Sequence, residues 1–380
     1  MQILIAPDKF KGSLTAAEAA SAMAEGALRV YPDAVITQFL VADGGEGTLD
    51  AAVAAGYEER NHAVVGPILK PVSASWAFRK DAVGGPSVVI ETAQASGLAH
   101  MEPTPENSLR AHSYGCGQLI AVALDAGATE IVLGLGGSAM SDGGSGALRA
   151  LGLKPLDAAG NVVPLGGGSL ADVVALDVSE LDPRLSAVKF RIAVDVQNPL
   201  FGPEGAAHVF GPQKGADEDA VEKLDAGLRN WASLLREATG RVVNVPGAGA
   251  AGGFPASFLA FTNAALEGGF ALVAGFTGLA EHLTEADWVI TGEGSMDEQS
   301  LSGKAPIALA DAASAHGIPV VAVAGRITVT SEDLAKHGIV AAAQLLDVAQ
   351  RKNGLPDVAD AVANAAAYVS RATALVLEGV

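Results

Sequence analysis

The sequence is poor in cysteine and in basic residues. Among its 380 residues is a single cysteine, Cys116, which excludes an intramolecular disulfide and a cysteine-rich zinc site. Only 24 lysines and arginines stand against 43 aspartates and glutamates, which gives a formal net charge of −19. A chain this acidic repels nucleic acids and anionic membranes, so we expect neither as a partner. The sequence also lacks a membrane-spanning apolar run and a signal-peptide pattern, which predicts a cytoplasmic protein.

Several familiar catalytic motifs are absent as well. The chain has no Gly-x-x-x-x-Gly-Lys-Ser/Thr phosphate loop, no protein-kinase catalytic loop and no Gly-x-Ser-x-Gly nucleophile elbow. Its seven histidines show neither an HExxH motif nor a paired spacing, which disfavours zinc. The run Gly134-Leu-Gly-Gly resembles the start of a dinucleotide-binding loop but lacks the third glycine at the required spacing, so NAD is only weakly indicated.

The residues that are present are typical of a well-packed α/β enzyme, with 49% apolar residues and 46 glycines. A length of 380 residues makes two domains the natural expectation. Strands and helices alternate at the N-terminus and in the final third, whereas residues 60–92 read as short strands with Pro and Gly turns, typical of antiparallel pairing. We therefore predict an α/β fold in which a parallel-sheet domain, residues 1–60 plus 284–380, is interrupted by a mixed α/β domain, residues 61–283.

Local patterns predict individual elements of this fold. The apolar run Gln2 to Ala6 predicts a buried first strand, and Thr15 with Glu18 forms a capping box that opens a helix ending near Val30. In the final third, Trp288 to Ile290 predicts a strand followed by a glycine-rich loop, and Val358 to Glu378 predicts the closing helix.

Three segments combine glycines, hydroxyls and carboxylates: Glu130–Leu148, Asp43–Thr48 and Thr291–Asp297. The first joins a buried strand to a helix N-terminus, where free amide groups and the helix dipole would suit an anion. A tight turn with a Ser or Asp helix cap is the alternative for any one such loop. The occurrence of the same combination of residues in three separate segments favours ligand binding over a capping role.

Charged residues cluster where predicted strands end. Since parallel sheets bind ligands at the carboxyl edge, these residues predict a site for a nucleoside triphosphate, its Mg²⁺ and an acidic substrate. For each residue singly, a role in a cap, in a turn or as solvated surface charge remains open. The residues are Asp8, Lys9, Lys11, Asp43, Asp195, Glu293 and Lys304.

Asp195 is the candidate general base. It follows the predicted strand Phe190 to Val194, and the polar, uncharged Gln197 and Asn198 after it could orient a hydroxyl or a carboxylate. Phosphoryl transfer to an alcohol needs a group that accepts the hydroxyl proton. The glycines around Asp43 and Glu293 would let phosphate and metal approach, which favours Mg²⁺ binding there. A purely structural capping role for Asp195 remains the alternative.

The sequence resembles a known family, the bacterial class I glycerate kinases. The resemblance spans nearly the whole chain, and its motifs occur in family order. They are Ile5-Ala-Pro-Asp-Lys-Phe-Lys-Gly-Ser13, Ala42-Asp-Gly-Gly-Glu-Gly-Thr48, Gly134-Leu-Gly-Gly-Ser138, Asp195-Val-Gln-Asn-Pro-Leu200, Phe210-Gly-Pro-Gln-Lys-Gly-Ala216, Thr291-Gly-Glu-Gly-Ser-Met-Asp297 and Gly303-Lys-Ala-Pro306.

This resemblance implies ATP-dependent phosphorylation of D-glycerate, mostly at the 2-hydroxyl, which gives 2-phosphoglycerate and ADP. It also implies a flavodoxin-like domain and a restriction-endonuclease-like domain with the active site between them. ATP and Mg²⁺ are the implied cofactors. The oligomeric state stays open.

We assign the motif residues to four expected roles. The roles are catalysis, for Asp195, Lys9 and Lys11; substrate binding, for Asp8, Ser13, Gln197, Asn198 and Lys214; nucleotide or phosphate binding, for Gly44, Gly45, Gly136, Gly137, Ser138, Gly292, Gly294 and Lys304; and metal binding, for Asp43, Glu293 and Asp297.

Two other classes of function are weighed against a kinase. An NAD-dependent hydroxyacid dehydrogenase would rest on the glycine-rich loop alone, and it lacks the third glycine and the acidic ribose partner. A non-catalytic protein that binds a phosphorylated ligand would explain the glycine-rich loops but not the surplus of carboxylates at strand ends. The production of ADP from ATP, Mg²⁺ and D-glycerate would separate the three.

Overall fold

The computed structural model describes residues 1–352 and 355–380. Its strands are β1 (Gln2–Ile5), β2 (Val35–Gln38), β3 (Glu58–Val65), β4 (Pro71–Arg79), β5 (Ser87–Glu91), β6 (Glu130–Gly134), β7 (Lys154–Leu156), β8 (Ala175–Asp177), β9 (Lys189–Ala193), β10 (Ala265–Glu267), β11 (Trp288–Met296), β12 (Val320–Ile327), β13 (Ile339–Gln344), β14 (Arg351–Lys352) and β15 (Leu355–Pro356).

The α-helices are α1 (Ala16–Val30), α2 (Thr48–Ala54), α3 (Thr92–Ser96), α4 (Pro105–Arg110), α5 (Tyr114–Asp125), α6 (Ser145–Ala150), α7 (Ala206–Phe210), α8 (Glu218–Thr239), α9 (Ala250–Gly253), α10 (Pro255–Phe261), α11 (Gly269–Thr277), α12 (Leu279–Leu283), α13 (Ala305–Ala315), α14 (Ser331–Ala335), α15 (Leu345–Val348), α16 (Val358–Ala363) and α17 (Ala365–Glu378). Short 3₁₀ helices lie at Leu98–His100, Gly167–Asp172, Pro183–Ser186, Pro212–Lys214 and Ser300–Ser302.

The chain folds into two compact units, and each has its own hydrophobic core. The first unit contains residues 1–43 and 273–380, and the second unit is the continuous segment 44–272. The divisions therefore fall earlier in the chain than the boundaries expected after residues 60 and 283. The mixed α/β architecture agrees with the predicted fold class.

The first unit is built on a five-stranded sheet in the order β13-β12-β11-β1-β2, with every neighbouring pair parallel. This confirms the parallel order predicted for its strands. The predicted capping box is also present, since Glu18 N donates to Thr15 Oγ1 (3.2 Å) and Thr15 N donates to Glu18 Oε2 (2.8 Å). These bonds satisfy amides that the first turn of α1 cannot pair internally.

The predicted glycine-rich loop after Ile290 is wrong, because these residues continue β11 as far as Met296. Parallel pairing with β12 extends along that whole length. Gly292 is needed within the strand, since a Cβ atom there would lie 1.8 Å from Val323 O. The glycine that was interpreted as a turn signal thus allows two strand backbones to approach closely.

The predicted closing helix is two helices, α16 and α17. Asn364 interrupts them with a φ of −116° and a ψ of 29°, and its side-chain amide donates to Asp360 Oδ1 (2.8 Å). An asparagine side chain that bonds locally competes with the helical backbone, which explains the break.

The second unit contains a six-stranded sheet in the order β10-β9-β6-β5-β4-β3. The pairs β3–β4 and β4–β5 are antiparallel, as predicted for residues 60–92, while β5, β6, β9 and β10 run parallel. Residues such as Ile90, Leu133 and Ile192 are fully buried in the strands. The carboxyl ends of β5, β6 and β9 consequently lie at one edge of this sheet, where most predicted site residues of the unit are found.

Within the described part of the chain, no helix combines the length and the apolar character that crossing a bilayer requires.

Candidate active site

In the first unit, the loop after β1 runs alongside β11. Ala6 N donates to Ile290 O (2.9 Å), and Asp8 N donates to Gly292 O (2.8 Å). The hydroxyl of Thr291 donates to Ala6 O (2.9 Å). These bonds hold Asp8 beside the stretch of β11 that carries Glu293, although the two residues are far apart in sequence.

Glu293 is a buried carboxylate in a mixed electrostatic environment. Only 5% of the residue is exposed, and its Oε1 atom has no hydrogen-bond partner among the described residues. Burial raises the pKa of Glu293 to about 7, with a further increase from Asp8 and Asp297 and an opposing decrease from Ser300 and Lys304. A proton or a cation at Glu293 would relieve the cost of the buried charge.

Asp8 belongs to the same cluster of charges. Burial raises its pKa, and the negative charge of Asp43 adds to that effect. The amide of Lys9 opposes it by donating to Asp8 Oδ1 (2.7 Å), as do the charges of Lys9 and Lys304. The structure thus brings Asp8 together with Glu293 and Lys304 at the carboxyl edge of this sheet. The phosphate-binding role of Lys304 stays a prediction.

The remaining basic and hydroxyl residues of this loop differ in environment. Lys9 is half-buried and Lys11 is exposed. The loop packs closely on β11, since a Cβ atom at Gly294 would lie 3.0 Å from Lys11 N. The Ser13 hydroxyl donates to Phe10 O (3.0 Å) and stabilises the turn. Its expected substrate contact stays a prediction.

Asp297 caps the turn that follows β11. Its Oδ1 accepts hydrogen bonds from Gln299 N (3.0 Å) and Ser300 N (3.3 Å). The structure therefore gives this carboxylate a structural role, and its role as a metal ligand stays a prediction. Across residues 1–352 and 355–380, no three Asp, Glu, His or Cys side chains are grouped as a metal site.

In the second unit, two glycine-rich loops contact each other; we call them the 44–47 loop and the 134–138 loop. Leu135 N donates to Gly44 O (3.0 Å). A Cβ atom at Gly136 would lie 2.6 Å from the Cα of Gly45, and one at Gly44 would lie 2.2 Å from the Cβ of Ala193. Glycine is therefore required here for close packing of the loops on each other and on β9.

Lys214 is enclosed by the second of these loops. It is 3% exposed, and its Nζ donates to Met140 O (2.6 Å) and lies 3.4 Å from Ser138 Oγ. Burial lowers its pKa to about 8, opposed by the negative charge of Asp142. The structure thus shows Lys214 holding the segment that follows Gly137, and its expected contact with substrate stays a prediction.

The expected anion site at the N-terminus of α6 is wrong, because an internal carboxylate occupies that position. Asp142 is fully buried and accepts hydrogen bonds from the amides of Gly144 (3.2 Å) and Gly146 (3.0 Å). It also accepts from the amide and the hydroxyl of Ser113, both at 2.9 Å, and that hydroxyl accepts from Ala147 N. The alternative that the sequence left open, an Asp helix cap, is what the structure shows.

Asp195 follows β9 as predicted and is exposed. Its Oδ1 accepts a hydrogen bond from Gly269 N (2.8 Å), the first residue of α11. Nearby, Gln197 is exposed and the Asn198 amide donates to Glu204 O (2.8 Å). This bond ties the carboxylate to the start of α11, and its expected role as general base stays a prediction.

The sequence-based site omitted one buried carboxylate at this edge. Glu91 ends β5, is 5% exposed, and accepts hydrogen bonds from Gly47 N and Leu49 N, each 2.9 Å long. Burial raises its pKa, and these bonds, with one from Gln94, oppose the increase. The same signal that selected Asp195, a carboxylate directly after a buried strand, could have identified it.

Comparisons with known proteins point to one family over nearly the whole chain. The model of the glycerate kinase family matches residues 3–378. Glycerate 2-kinase of Escherichia coli K12 is 44% identical over 348 residues, with 91% of each chain covered. Glycerate kinase of Bacillus subtilis 168 is 42% identical over 374 residues, which cover 98% of this chain and 95% of that protein. A crystal structure of a candidate glycerate kinase 2 from Salmonella typhimurium LT2 matches all of this chain and 98% of its own, with a TM-score of 0.86 and 39% identity.

Proposed function

The chain belongs to the glycerate kinase family, and on that premise we propose that it transfers the γ-phosphoryl group of ATP to the 2-hydroxyl of D-glycerate. The products would be 2-phosphoglycerate and ADP. Membership of a kinase family removes the dehydrogenase and the non-catalytic binding protein as alternatives. The related glycerate 2-kinase of Escherichia coli supports the choice of the 2-hydroxyl.

The observation that carries the proposal is the charge cluster of the first unit. Asp8, Glu293 and Lys304 influence one another electrostatically at the carboxyl edge of a parallel sheet. This is the edge at which such sheets bind their ligands. A lysine among carboxylates suits a phosphate chain and its counter-ion, whereas a merely structural cluster would not leave a buried carboxylate oxygen unpartnered, as at Glu293.

The residues of the first unit fit a magnesium ion. Glu293 Oε1 is a buried oxygen donor that a cation would satisfy, and Asp43 is near enough to Asp8 to raise its pKa. Mg²⁺ is usually held by one or two carboxylates, with water and substrate phosphates completing its coordination. We propose Glu293 and Asp43 as ligands, with Asp297 as a third candidate. The ion would neutralise charge on the phosphates during transfer.

Lysines and backbone amides would stabilise the transferred phosphoryl group. Lys9, Lys11 and Lys304 are the cations that we propose for this role in the first unit. In the second unit, the N–H groups of Gly136 and Gly137 form no hydrogen bond within the described residues, so they remain available for an anion. Such preorganised donors stabilise developing charge without further rearrangement.

Asp195 is the proposed general base. It follows β9 at the carboxyl edge of the sheet, and its bond from Gly269 N fixes the orientation of the carboxylate. Acceptance of the proton from the substrate hydroxyl would align the oxygen for attack on phosphorus, as aspartates do in other kinases.

Phosphorus NMR tests both the activity and its position. The purified protein is incubated with ATP, Mg²⁺ and D-glycerate, and the proton-coupled ³¹P spectrum of the product is recorded. A phosphate on C2 couples to a single proton and gives a doublet, whereas one on C3 couples to two and gives a triplet. We expect the doublet. A triplet would move the reaction to the 3-hydroxyl, and the absence of a new phosphate ester would refute the proposal.

A further inference from the structure

The segment from Glu91 to Leu98 touches both glycine-rich loops of the second unit. At its start, Glu91 Oε1 accepts the amides of Gly47 and Leu49, each at 2.9 Å. Those amides lie at the junction between the 44–47 loop and α2. The carboxylate is therefore directed at the backbone of the loop, and both bonds converge on a single oxygen.

The same segment also holds the 134–138 loop through its backbone. Ala139 N donates to Ser96 O and Leu98 N donates to Gly137 O, both at 2.8 Å. The two loops also bond to each other, from Leu135 N to Gly44 O. The segment and the two loops therefore form a set in which each member contacts the other two. Glu91 contributes to this set through its side chain, so its substitution removes two hydrogen bonds at the end of the 44–47 loop and leaves the backbone contacts in place.

We propose that Glu91 is a positioning residue of the kinase reaction, which holds the 44–47 loop in contact with the 134–138 loop. The inference rests on the proposed role of these loops in binding nucleotide phosphates. Glu91 acts here by the reach of its oxygen, because its partners are neutral backbone amides. Glutamine carries an oxygen at the same distance from the backbone, whereas aspartate is shorter by one methylene group and cannot reach both amides.

Three variants separate reach from charge, and a fourth serves as the matched control. Glu91→Gln keeps the reach and removes the charge, Glu91→Asp keeps the charge and shortens the reach, and Glu91→Ala removes both. Asp182→Ala is the control, because Asp182 Oδ1 accepts Arg184 N (2.9 Å) in the 3₁₀ helix before β9, at the opposite end of the sheet. It removes a capping carboxylate from the same unit without touching either loop.

Steady-state kinetics give the expected pattern. Glu91→Asp and Glu91→Ala should raise the KM for ATP about ten-fold or more, since small displacements in a site can cost up to about 10²-fold. The KM for glycerate should change less than about two-fold, and Glu91→Gln and Asp182→Ala should stay near wild type. A loss of stability alone would not split the two KM values in this way.

Hydrogen exchange measures the loop directly and needs no activity. A peptide that covers residues 45–50 should exchange faster in Glu91→Asp and Glu91→Ala, but not in Glu91→Gln. Equal kinetic losses in Glu91→Gln and Glu91→Ala would show that the charge of Glu91 is required. Wild-type values in Glu91→Asp would show that the length of the side chain is not required. Either result overturns the inference. An inactive wild-type protein would refute the proposed function instead, and the exchange comparison would still decide the positioning role. If Glu91→Ala does not fold, the Gln and Asp variants decide.

Discussion

The phosphate-binding role proposed for lysines of the first unit can be tested one residue at a time. We predict that Lys9→Ala and Lys11→Ala each lower kcat/KM about 10- to 100-fold, because each removes a charged hydrogen bond worth about 1.5–3 kcal/mol. Lys336→Ala is the matched control, since the exposed Lys336 pairs with Asp333 of α14 in the same unit (2.9 Å). Wild-type kinetics in both loop variants would contradict the proposed role of these lysines.

At Asp195, the question is whether a carboxylate with a structural bond also takes a proton. Asp195→Asn keeps the shape of the side chain and an oxygen that can accept Gly269 N. We predict that kcat falls about 10²- to 10⁴-fold while ATP affinity and thermal stability stay near wild type. Activity, nucleotide binding and melting temperature are measured together. Full kcat would assign the base elsewhere, and loss of activity through unfolding alone would leave Asp195 a capping residue.

The raised pKa of Glu293 makes stability depend on pH. The folded-state value of about 7 lies above the ordinary value of 4.5, so the folded protein binds this proton more tightly than the unfolded chain. The proton's contribution is full below about pH 4.5 and is lost as the pH rises towards 7. Glu293→Gln, which does not titrate, should therefore gain about 1–3 kcal/mol over wild type across that interval.

Denaturant unfolding in the presence of EDTA at pH 4.5, 6 and 7.5 measures this difference. The comparison with wild type at each pH cancels the titration of groups that do not interact with Glu293. A difference that does not change with pH would mean that Glu293 has an ordinary pKa in the folded protein.

At the scale of elements, a glycine can either form a turn or allow two strands to pack closely. Gly292 lies inside β11 because a Cβ atom would meet Val323 O at 1.8 Å. We predict that Gly292→Ala destabilises the protein by about 2–4 kcal/mol, because β11 and β12 must separate to admit the methyl group. Gly379→Ala is the control, since a Cβ atom there has no neighbour closer than 3.7 Å. Equal melting temperatures would show that the strands adapt without cost.

The elements also show how far sequence reasoning reaches. Buried strands and capped helices were predicted well, because apolar periodicity and the Thr15 capping box are local signals. The loop predicted after Ile290 and the anion site at α6 were wrong for a different reason. Both errors depend on partners that are distant in sequence. Gly292 lies against Val323 of the neighbouring strand instead of forming a turn, and Asp142 bonds to Ser113 instead of facing a ligand.

The same limit applies to the candidate site. Predicted strand ends identified Asp8 and Glu293, and the start of the next helix identified Lys304. The structure brings these three residues together. The sequence could not distinguish them from Asp297, which caps a turn, since both kinds of carboxylate follow an apolar strand. Burial and hydrogen-bond partners make the distinction, and both come from tertiary structure.

At the scale of the whole molecule, one unit is formed by a continuous segment of the chain and the other by two separate segments. The second unit is one continuous segment, residues 44–272, and contains two of the hydrophobic cores, including buried side chains such as Trp231 and Phe190. The first unit needs both chain ends, because β1 lies between β2 and β11 in its sheet. A segment of about 230 residues with its own cores is long enough to bury most of its apolar surface.

We therefore predict that residues 44–272, expressed alone, fold cooperatively, whereas residues 1–43 do not. The isolated N-terminal segment would have only the pair β1–β2 and the helix α1, and a two-stranded sheet is at best marginally stable in water. Circular dichroism should show a single sigmoidal melting transition for residues 44–272 and none for residues 1–43. Addition of residues 273–380 to the N-terminal segment should restore secondary structure, since β11 then pairs with β1 through Ile3, Leu4 and Ile5. A fragment 44–272 that melts without a transition would mean that its cores depend on the rest of the chain.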